Sequence, residues 1–549
     1  MKKLLIGIDL GTTYTCASIL NDAGSIEVVP NGNNGAPTIP SVMLLKKDDN
    51  PSVGDGAKSA ITGLISLNKD DRESQMKEGW YLKDDGSRAV IEQTKRFISS
   101  DKQYNFEEEV FNPTTVSAAI LKKIAQNVEK AFGQKIDKAV ITVPANFNSQ
   151  QRQETLKAAN SIGMHVTDLI DEPTAAALAY SVSSQIDGVY VIYDFGGGTF
   201  DCSVVETNGD NVKILASDGA KRLGGKDLDL KLLNIVEKKY KEITGKDLSP
   251  RQYSIIKAEE SKVALSTEKE IDIFIDGHEI IITRKEFEEA ISTLVAKSML
   301  VFDNAIDQAK ISVDNIMDVI LVGGTSRTPL IKKMLKKKIG KSPKNYGNPD
   351  ETVAKGAAVY IALKNKESLN INQKAVVGAF EVKEISNVYL GTVFMDRDDN
   401  GNQIGLKNRN MIKKGARIPT KKTTELAIPL GVIKLDMEGI MHQNRWEVKI
   451  TESYQLSINI DKSPVVWIKE IDWPNPGRRH GSDMENIEFL VSWAPVKITY
   501  SINENQIFHI KVYHPASGKV ILDENLDMRK GSLSLNGKNN SKIDSFIID

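Results

Sequence analysis

The 549 residues suffice for about three or four domain-sized units, and 72 Lys plus Arg against 73 Asp plus Glu leave a net charge of −1. That balance excludes a protein that holds nucleic acid by neutralising phosphates across its surface, and 40% hydrophobic with 26% charged residues excludes disordered, collagen-like and coiled-coil chains. Two cysteines, Cys16 and Cys202, lie far apart and in no Cys-x-x-Cys spacing, which excludes a disulfide scaffold or structural zinc site and fits a reducing cytosol.

At the N-terminus, Asp9 interrupts the apolar run 4–8 after five residues, too short for the apolar stretch of a secretory signal. No segment approaches the roughly 18 apolar residues of a membrane span, so a soluble, cytoplasmic chain with no nucleic-acid or membrane partner is expected. Apolar periodicity predicts helices over 116–132, 229–244 and 286–310, and short apolar runs predict buried strands over 189–193 and 319–322. Such alternation predicts an α/β fold with covered sheets. Beyond about residue 380 the texture changes. Trp446, Trp467, Trp473 and Trp493 lie there, and period-two alternation over 445–450, 455–460 and 496–502 is broken by turn clusters at 398–402 and 515–518. That pattern predicts an all-β module, followed by a flexible Ser-, Asn-, Gly- and Lys-rich tail.

One internal echo stands out. Ile8-Asp9-Leu10-Gly11-Thr12-Thr13 resembles Tyr193-Asp194-Phe195-Gly196-Gly197-Gly198-Thr199: each is a buried strand, an Asp, then glycine and threonine. A duplicated unit with two facing loops, holding a ligand between two lobes, is the economical reading. Neither a Walker A sequence nor a Gly-x-Gly-x-x-Gly fingerprint is present, and Leu223-Gly-Gly-Lys-Asp227 imitates one without its spacing. Glycine loops let successive N–H groups point at one anion, threonine hydroxyls add donors, and Asp9, Asp194 and Asp201 offer hard oxygens suited to a hydrated Mg²⁺. Carboxylates beside phosphate repel it unless a divalent cation intervenes, so a metal-bridged nucleotide phosphate is expected. The plain alternative, two tight hairpins rich in Gly and Asp, explains one loop better than a matched pair.

The stretches 6–14 (IGIDLGTTY), 194–201 (DFGGGTFD) and 319–329 (VILVGGTSRTP), with 143–148 (VPANFN), 172–180 (EPTAAALAY) and 348–358 (NPDETVAKGAA), resemble the seventy-kilodalton heat-shock chaperones of DnaK type, nearly continuously over 4–363. The resemblance implies an actin-like (ribonuclease H-like, duplicated) α/β ATPase domain of two lobes over 1–372, a linker over 373–381, a β-sandwich substrate-binding-like domain over 382–525 and a tail over 526–549. It implies ATP or ADP with Mg²⁺ as ligands. Lys95, Glu172, Thr199 and Asp201 are implied as the catalytic set, with Asp9, Asp194 (through water) and Asp201 around the metal. Gly11, Thr12, Thr13, Tyr14, Gly196, Gly197 and Gly198 would face the phosphates. Gly323, Gly324, Thr325, Arg327 and Asp350, with Glu259, Lys262 and Ser266 on one helix face, would hold the adenosine. By themselves those three read as an exposed charged face, and Lys95 as one more surface lysine.

The implied activity is an ATP-dependent chaperone that couples hydrolysis to binding of unfolded or extended polypeptide segments, with a nucleotide-exchange factor as partner. Met411, Ile412, Ile428, Leu430 and Val432 are candidates for a peptide groove, although sandwich core explains each of them better alone. The chain departs from the family pattern at several points. No helical lid is expected after the β region, Val263 stands where relatives place an arginine beside the base, and the interdomain segment reads AVVGAF over 375–380. Asp168 replaces a basic residue on the J-domain face, which argues against stimulation by a J-domain protein, although Pro144 and Arg152 keep the interdomain-signalling pattern. Cys16 is expected to be a buried structural thiol. The competing readings are a non-enzymatic ATP-binding scaffold or co-chaperone whose β domain binds one dedicated partner, and a small-metabolite kinase of the same fold, for which no acceptor site is evident.

Overall fold

The computed structural model describes residues 4–30, 35–66, 68–184, 187–208, 211–343, 347–378, 381–383, 386, 388–397, 403–429, 433–436, 439–442, 445–453, 465–472, 493–515 and 518–525. The chain divides into two compact units, one formed mainly by residues up to Lys383 and the other mainly by residues from 384 onward.

The first unit carries the echo as structure. Strand Leu5–Asp9 pairs in parallel with Lys138–Val143 and antiparallel with Tyr14–Leu20. Val166–Asp171 then extends the sheet beyond Lys138–Val143 in parallel. In the second lobe, Gly188–Phe195 pairs in parallel with Ile316–Val322 and antiparallel with Phe200–Asn208. Asn211–Ala220 follows antiparallel. Each Asp-bearing strand therefore has one parallel and one antiparallel neighbour, and its hairpin turn is a glycine-rich loop. The strands are apolar almost throughout because helices cover the sheets: Ile6, Ile8, Val191, Tyr193 and Phe195 are buried.

Helices Glu172–Ser184 and Thr352–Lys364 bring the two sheets together. Ala175, Ala176, Ala177, Ala354, Ala357 and Ala358 are buried, and a side chain at Gly356 would collide with the Ala175 backbone. Small residues thus allow the helix axes close approach. Behind the second hairpin, the Tyr193 and Phe200 rings lie 4.5 Å apart and those of Phe195 and Phe200 5.1 Å. That aromatic block fixes the base of the loop.

The helices expected from 116, 229 and 286 are Pro113–Phe132, Gly225–Thr244 and Arg284–Ala309. The second starts four residues before its expected position, at the Gly-Gly-Lys-Asp stretch, a difference with consequences for the site. The segment read as a linker is helical over Ile371–Val377, and Glu381–Lys383 joins the second lobe's sheet in parallel with residues 211–213.

The second unit contains two four-stranded antiparallel sheets. Val496, Ile498, Tyr500 and Ile502 are buried while Lys497 between them is exposed, the period-two signature of one covered face. Met411 and Ile412, two of the groove candidates, are buried in this core with Leu390, Phe508 and Ile510. The Ile428 side chain, Leu430, Val432, the alternating run 455–460 and the tail 526–549 lie outside the described residues.

Candidate functional site

The two hairpin loops converge on one cavity of about 90 Å³. Its lining includes Asp9, Gly11, Thr12, Thr13, Tyr14, Lys95, Glu172, Asp194, Gly196, Gly197, Thr199, Gly323, Gly324 and Asp350. The loops face each other closely. A side chain at Gly197 would strike Thr13, and one at Gly198 would approach Thr12 Cγ2 to 2.5 Å. Close approach, rather than an unusual backbone angle, is why these positions are glycine.

Charge dominates one end of the cavity. Lys95, in a short 3₁₀ turn, donates to Glu172 Oε1, and both are buried. Asp9 accepts from Thr142 Oγ1 at 3.1 Å. Burial, with the neighbouring Glu172 charge, pushes the Asp9 carboxyl up to about 7. Burial, again with Glu172 next in weight, drives Asp194 and Asp201 well above the usual carboxylate range. Burial alone would lower Lys95, but Glu172 and Asp9 outweigh it and raise the ammonium's affinity for its proton. Four carboxyls, Glu172 and Asp201 buried and Asp9 and Asp194 half-buried, surround one lysine and repel each other unless a cation joins them.

Two further features fit a metal-bridged anion. Thr13 Oγ1 and Asp201 Oδ1 are buried and have no hydrogen-bond partner, so a donor-acceptor-rich group is needed to satisfy them. Among the described residues, no three His, Cys, Asp or Glu side chains converge tightly enough to chelate an ion directly. Asp9, Asp194 and Asp201 could hold a cation through its own waters, the habit of Mg²⁺.

The residues expected on the adenosine side divide into two groups. Gly323, Gly324 and Asp350 line the cavity. Thr325 Oγ1 instead donates to Gly196 O at 2.9 Å, and Arg327 forms an ion pair with Asp350 at 2.6 Å. On the helix Ile255–Ala264, Glu259 accepts from Tyr14 at 3.2 Å and pairs with Lys58 at 2.8 Å. Burial works to raise Glu259, but Lys226, Lys58 and Lys262 together hold it down to about 2. Lys262 pairs with buried Asp229 at 2.7 Å, and Ser266, past the helix end, donates to Lys262 O. Val263 is exposed.

Several residues here were not singled out in the sequence. Glu92 and Lys226 form a buried ion pair at 3.2 Å, Tyr81 donating to the same carboxylate, and Arg72 pairs with Glu237 at 2.9 Å. Arg96 donates to Gly198 O and to Asp227. All join the first 100 residues to the helix Gly225–Thr244 or the glycine loop. Only the start of that helix gave a signal, the Gly-Gly-x-Asp stretch whose Asp227 side chain accepts from Gly224 N at the helix start. Asp168, expected on an open docking face, is buried and pairs with Lys364 at 3.3 Å. Cys16 and Cys202 are buried free thiols.

Residues 5–377 match the family model described as Hsp70 protein. The chain is similar to the chaperone protein DnaK of Thermosipho melanesiensis, 34% identical over 377 residues covering 66% of this chain and 59% of that protein. It is also similar to the DnaK proteins of Thermotoga neapolitana and Thermotoga maritima, 34% identical over 378 residues, 66% of this chain and 60% of each. The chain thus spans about three-fifths of the length of the curated relatives it matches.

Proposed function

The chain belongs to the Hsp70 family of chaperones, its first unit having the actin-like fold, and on that premise we propose that it hydrolyses ATP in the cleft between its lobes. The observation that carries this reading is the buried Lys95–Glu172 pair, which lines one glycine-edged cavity with Asp9 and Asp194, while Asp201 stands behind the lining, opposite Asp194 across the hairpin. Asp9, Asp194 and Asp201 would hold Mg²⁺ through water, and the ion would supply charge neutralisation for the phosphates. Gly11, Thr12, Thr13, Gly196, Gly197 and Gly198 would receive those phosphates with N–H and hydroxyl donors. Lys95 would sit against the reacting phosphoryl group and offset charge developing there. Glu172 and Asp201 would orient the attacking water, and Thr199 would donate to the same phosphoryl oxygens. Gly323, Gly324 and Asp350 would enclose the nucleoside.

A cavity of about 90 Å³ is well below the roughly 300–1,000 Å³ of sites that enclose whole small ligands, so nucleotide entry requires the lobes to part. The pairs Lys58–Glu259, Arg72–Glu237 and Glu92–Lys226 would open with them. Hydrolysis would in turn regulate the β unit, whose role would be to bind extended polypeptide, with a nucleotide-exchange factor resetting the cycle. No helix among the described residues is long and apolar enough to cross a membrane.

Lys95→Ala should abolish Mg²⁺-dependent hydrolysis while leaving ATP binding by calorimetry within a few-fold; retained turnover refutes the assignment. Stimulation of wild-type turnover by an apolar peptide would support coupling, and an unchanged rate would favour the scaffold reading, in which the β unit serves one dedicated partner.

A further inference from the structure

The glycine loop of the second hairpin has three successive carbonyls, and all three are engaged. Gly196 O accepts from Gly225 N at 3.0 Å and from Thr325 Oγ1, and Gly197 O accepts from Lys226 N at 2.9 Å. Those donors belong to the second lobe. Two of them are first-turn N–H groups of the helix Gly225–Thr244, which would otherwise lack partners. Gly198 O differs: it accepts from Arg96 Nε at 2.8 Å and Nη2 at 2.6 Å, and Arg96 comes from the first lobe.

In a trans peptide the C=O of one residue and the N–H of the next point in opposite directions. Holding the carbonyls of residues 196, 197 and 198 from outside therefore turns the N–H groups of Gly197, Gly198 and Thr199 the other way. Gly197 and Thr199 line the cavity, and among the described residues these three N–H groups have no protein acceptor. Successive free N–H groups of this kind form an anion-binding concavity. Two of the three peptide planes are set within one lobe. The third, ending in Thr199 N–H, is set across the cleft.

The guanidinium is itself held at every edge. Nη1 donates to Gln93 Oε1 at 2.8 Å, Gln93 Nε2 donates to Met76 O at 3.1 Å, and Nη2 reaches Asp227 Oδ2 at 3.1 Å. A Cβ on Gly198 would lie 2.8 Å from Arg96 Nε, so glycine there is also what admits the guanidinium. We propose that Arg96 is a positioning residue for phosphoryl transfer: by gripping Gly198 O from the opposite lobe, it aligns the Thr199 amide with the reacting phosphate only when the lobes are closed. This rests on the nucleotide reading above. Lys95 and Arg96, adjacent in sequence, then have separate tasks, one against the phosphate and one behind the loop that holds it.

The test uses the full chain with MgATP and MgADP. Arg96→Ala is expected to lower single-turnover hydrolysis at saturating ATP by about 10- to 100-fold, less than the roughly 100- to 1,000-fold that deleting a preorganised donor costs, because the Thr199 amide remains and only its alignment is lost. The Kd for ADP should change by less than about threefold, since the donors within the second lobe remain. Arg96→Lys should fall between, because an ammonium keeps the charge but not the fork. Asp227→Asn should lower turnover in wild type and add little in the Arg96→Ala background, as expected of residues acting as one unit. Should Arg96→Ala not fold, Arg96→Lys and Asp227→Asn carry the same split between turnover and ADP affinity. Wild-type turnover in the Arg96 variants, or equal loss of ADP affinity and turnover, overturns the proposal. Wild-type protein that binds neither nucleotide instead overturns the reading on which it rests.

Discussion

The two hairpins at the cleft share one topology and use it for different chemistry. In the first, Asp9 stands opposite Cys16 across the antiparallel ladder; in the second, Asp194 stands opposite Asp201. Like charges facing each other across strands are destabilising, so the second hairpin is built against its own stability in a way the first is not. Their loops differ in the same sense. The first offers the side chains of Thr12 and Thr13, while the second offers backbone N–H groups whose carbonyls are tied back by Gly225, Lys226 and Arg96. A duplicated unit has thus divided the work: one copy supplies hydroxyls over a single carboxyl, the other a carboxyl pair and an oriented backbone. Strain of this kind at a functional site is expected to be relieved by its ligand.

The sharpest test removes the feature that only one hairpin has. Asp201→Asn should lower Mg²⁺-dependent hydrolysis by at least about a hundredfold, yet raise the melting temperature of ligand-free protein by about 1–2 °C, as a gain near 1 kcal/mol would in a unit of this size. A fall in both, read by scanning calorimetry and a phosphate-release assay, would break the claim that the carboxylate pair is a stability cost. A smaller effect is expected on the first hairpin. Thr13→Val keeps the shape and removes a buried hydroxyl with no partner, so ATP affinity should weaken by about 3- to 10-fold, one lost hydrogen bond, while ligand-free stability holds or rises. Loss of stability instead would show that the hydroxyl serves the fold.

The last test reads stability alone and concerns what keeps the hairpins facing each other. Tyr14, at the start of the first hairpin's return strand, and Lys58 both meet Glu259 from the second lobe. With its folded value held at about 2 against an ordinary 4.5, Glu259 stabilises the closed form above about pH 4.5. That contribution is lost as pH falls towards 2. The stability difference between wild type and Glu259→Gln should therefore be constant from pH 6 to 5, at up to about 3 kcal/mol, and shrink towards pH 3.5. A difference that grows on acidification would reverse the sign and remove Glu259 from the latch.

Much of the site was legible because it is local. Asp9, Gly11, Thr12 and Thr13 sit within one turn, as do Gly196, Gly197, Gly198 and Thr199, and the resemblance between the two stretches by itself points to a cleft. Lys95 and Glu172 needed the family resemblance, since 77 residues separate them. Arg96 left no trace beside Lys95: its partners Gly198 and Asp227 lie 102 and 131 residues away. The Leu223–Asp227 stretch lacks the spacing of a dinucleotide fingerprint, yet its helix start holds two of the three loop carbonyls. Asp168 read as a surface charge because nothing nearby in sequence foretells Lys364.

Local order in the chain was enough to settle the strand-helix alternation, the two Asp-Gly-Thr loops, the switch to period-two alternation after residue 380 and the family. Those depend on neighbours along the backbone, whose spacing the chain itself dictates. Which carbonyl each donor holds, which carboxylates share a buried space, and that the lobes are joined by Glu92–Lys226, Arg72–Glu237 and Arg96–Asp227 were decided only on folding. Hydrogen bonds and ion pairs act over a few ångströms of space, and closure of the two lobes is what brings such distant residues within that reach.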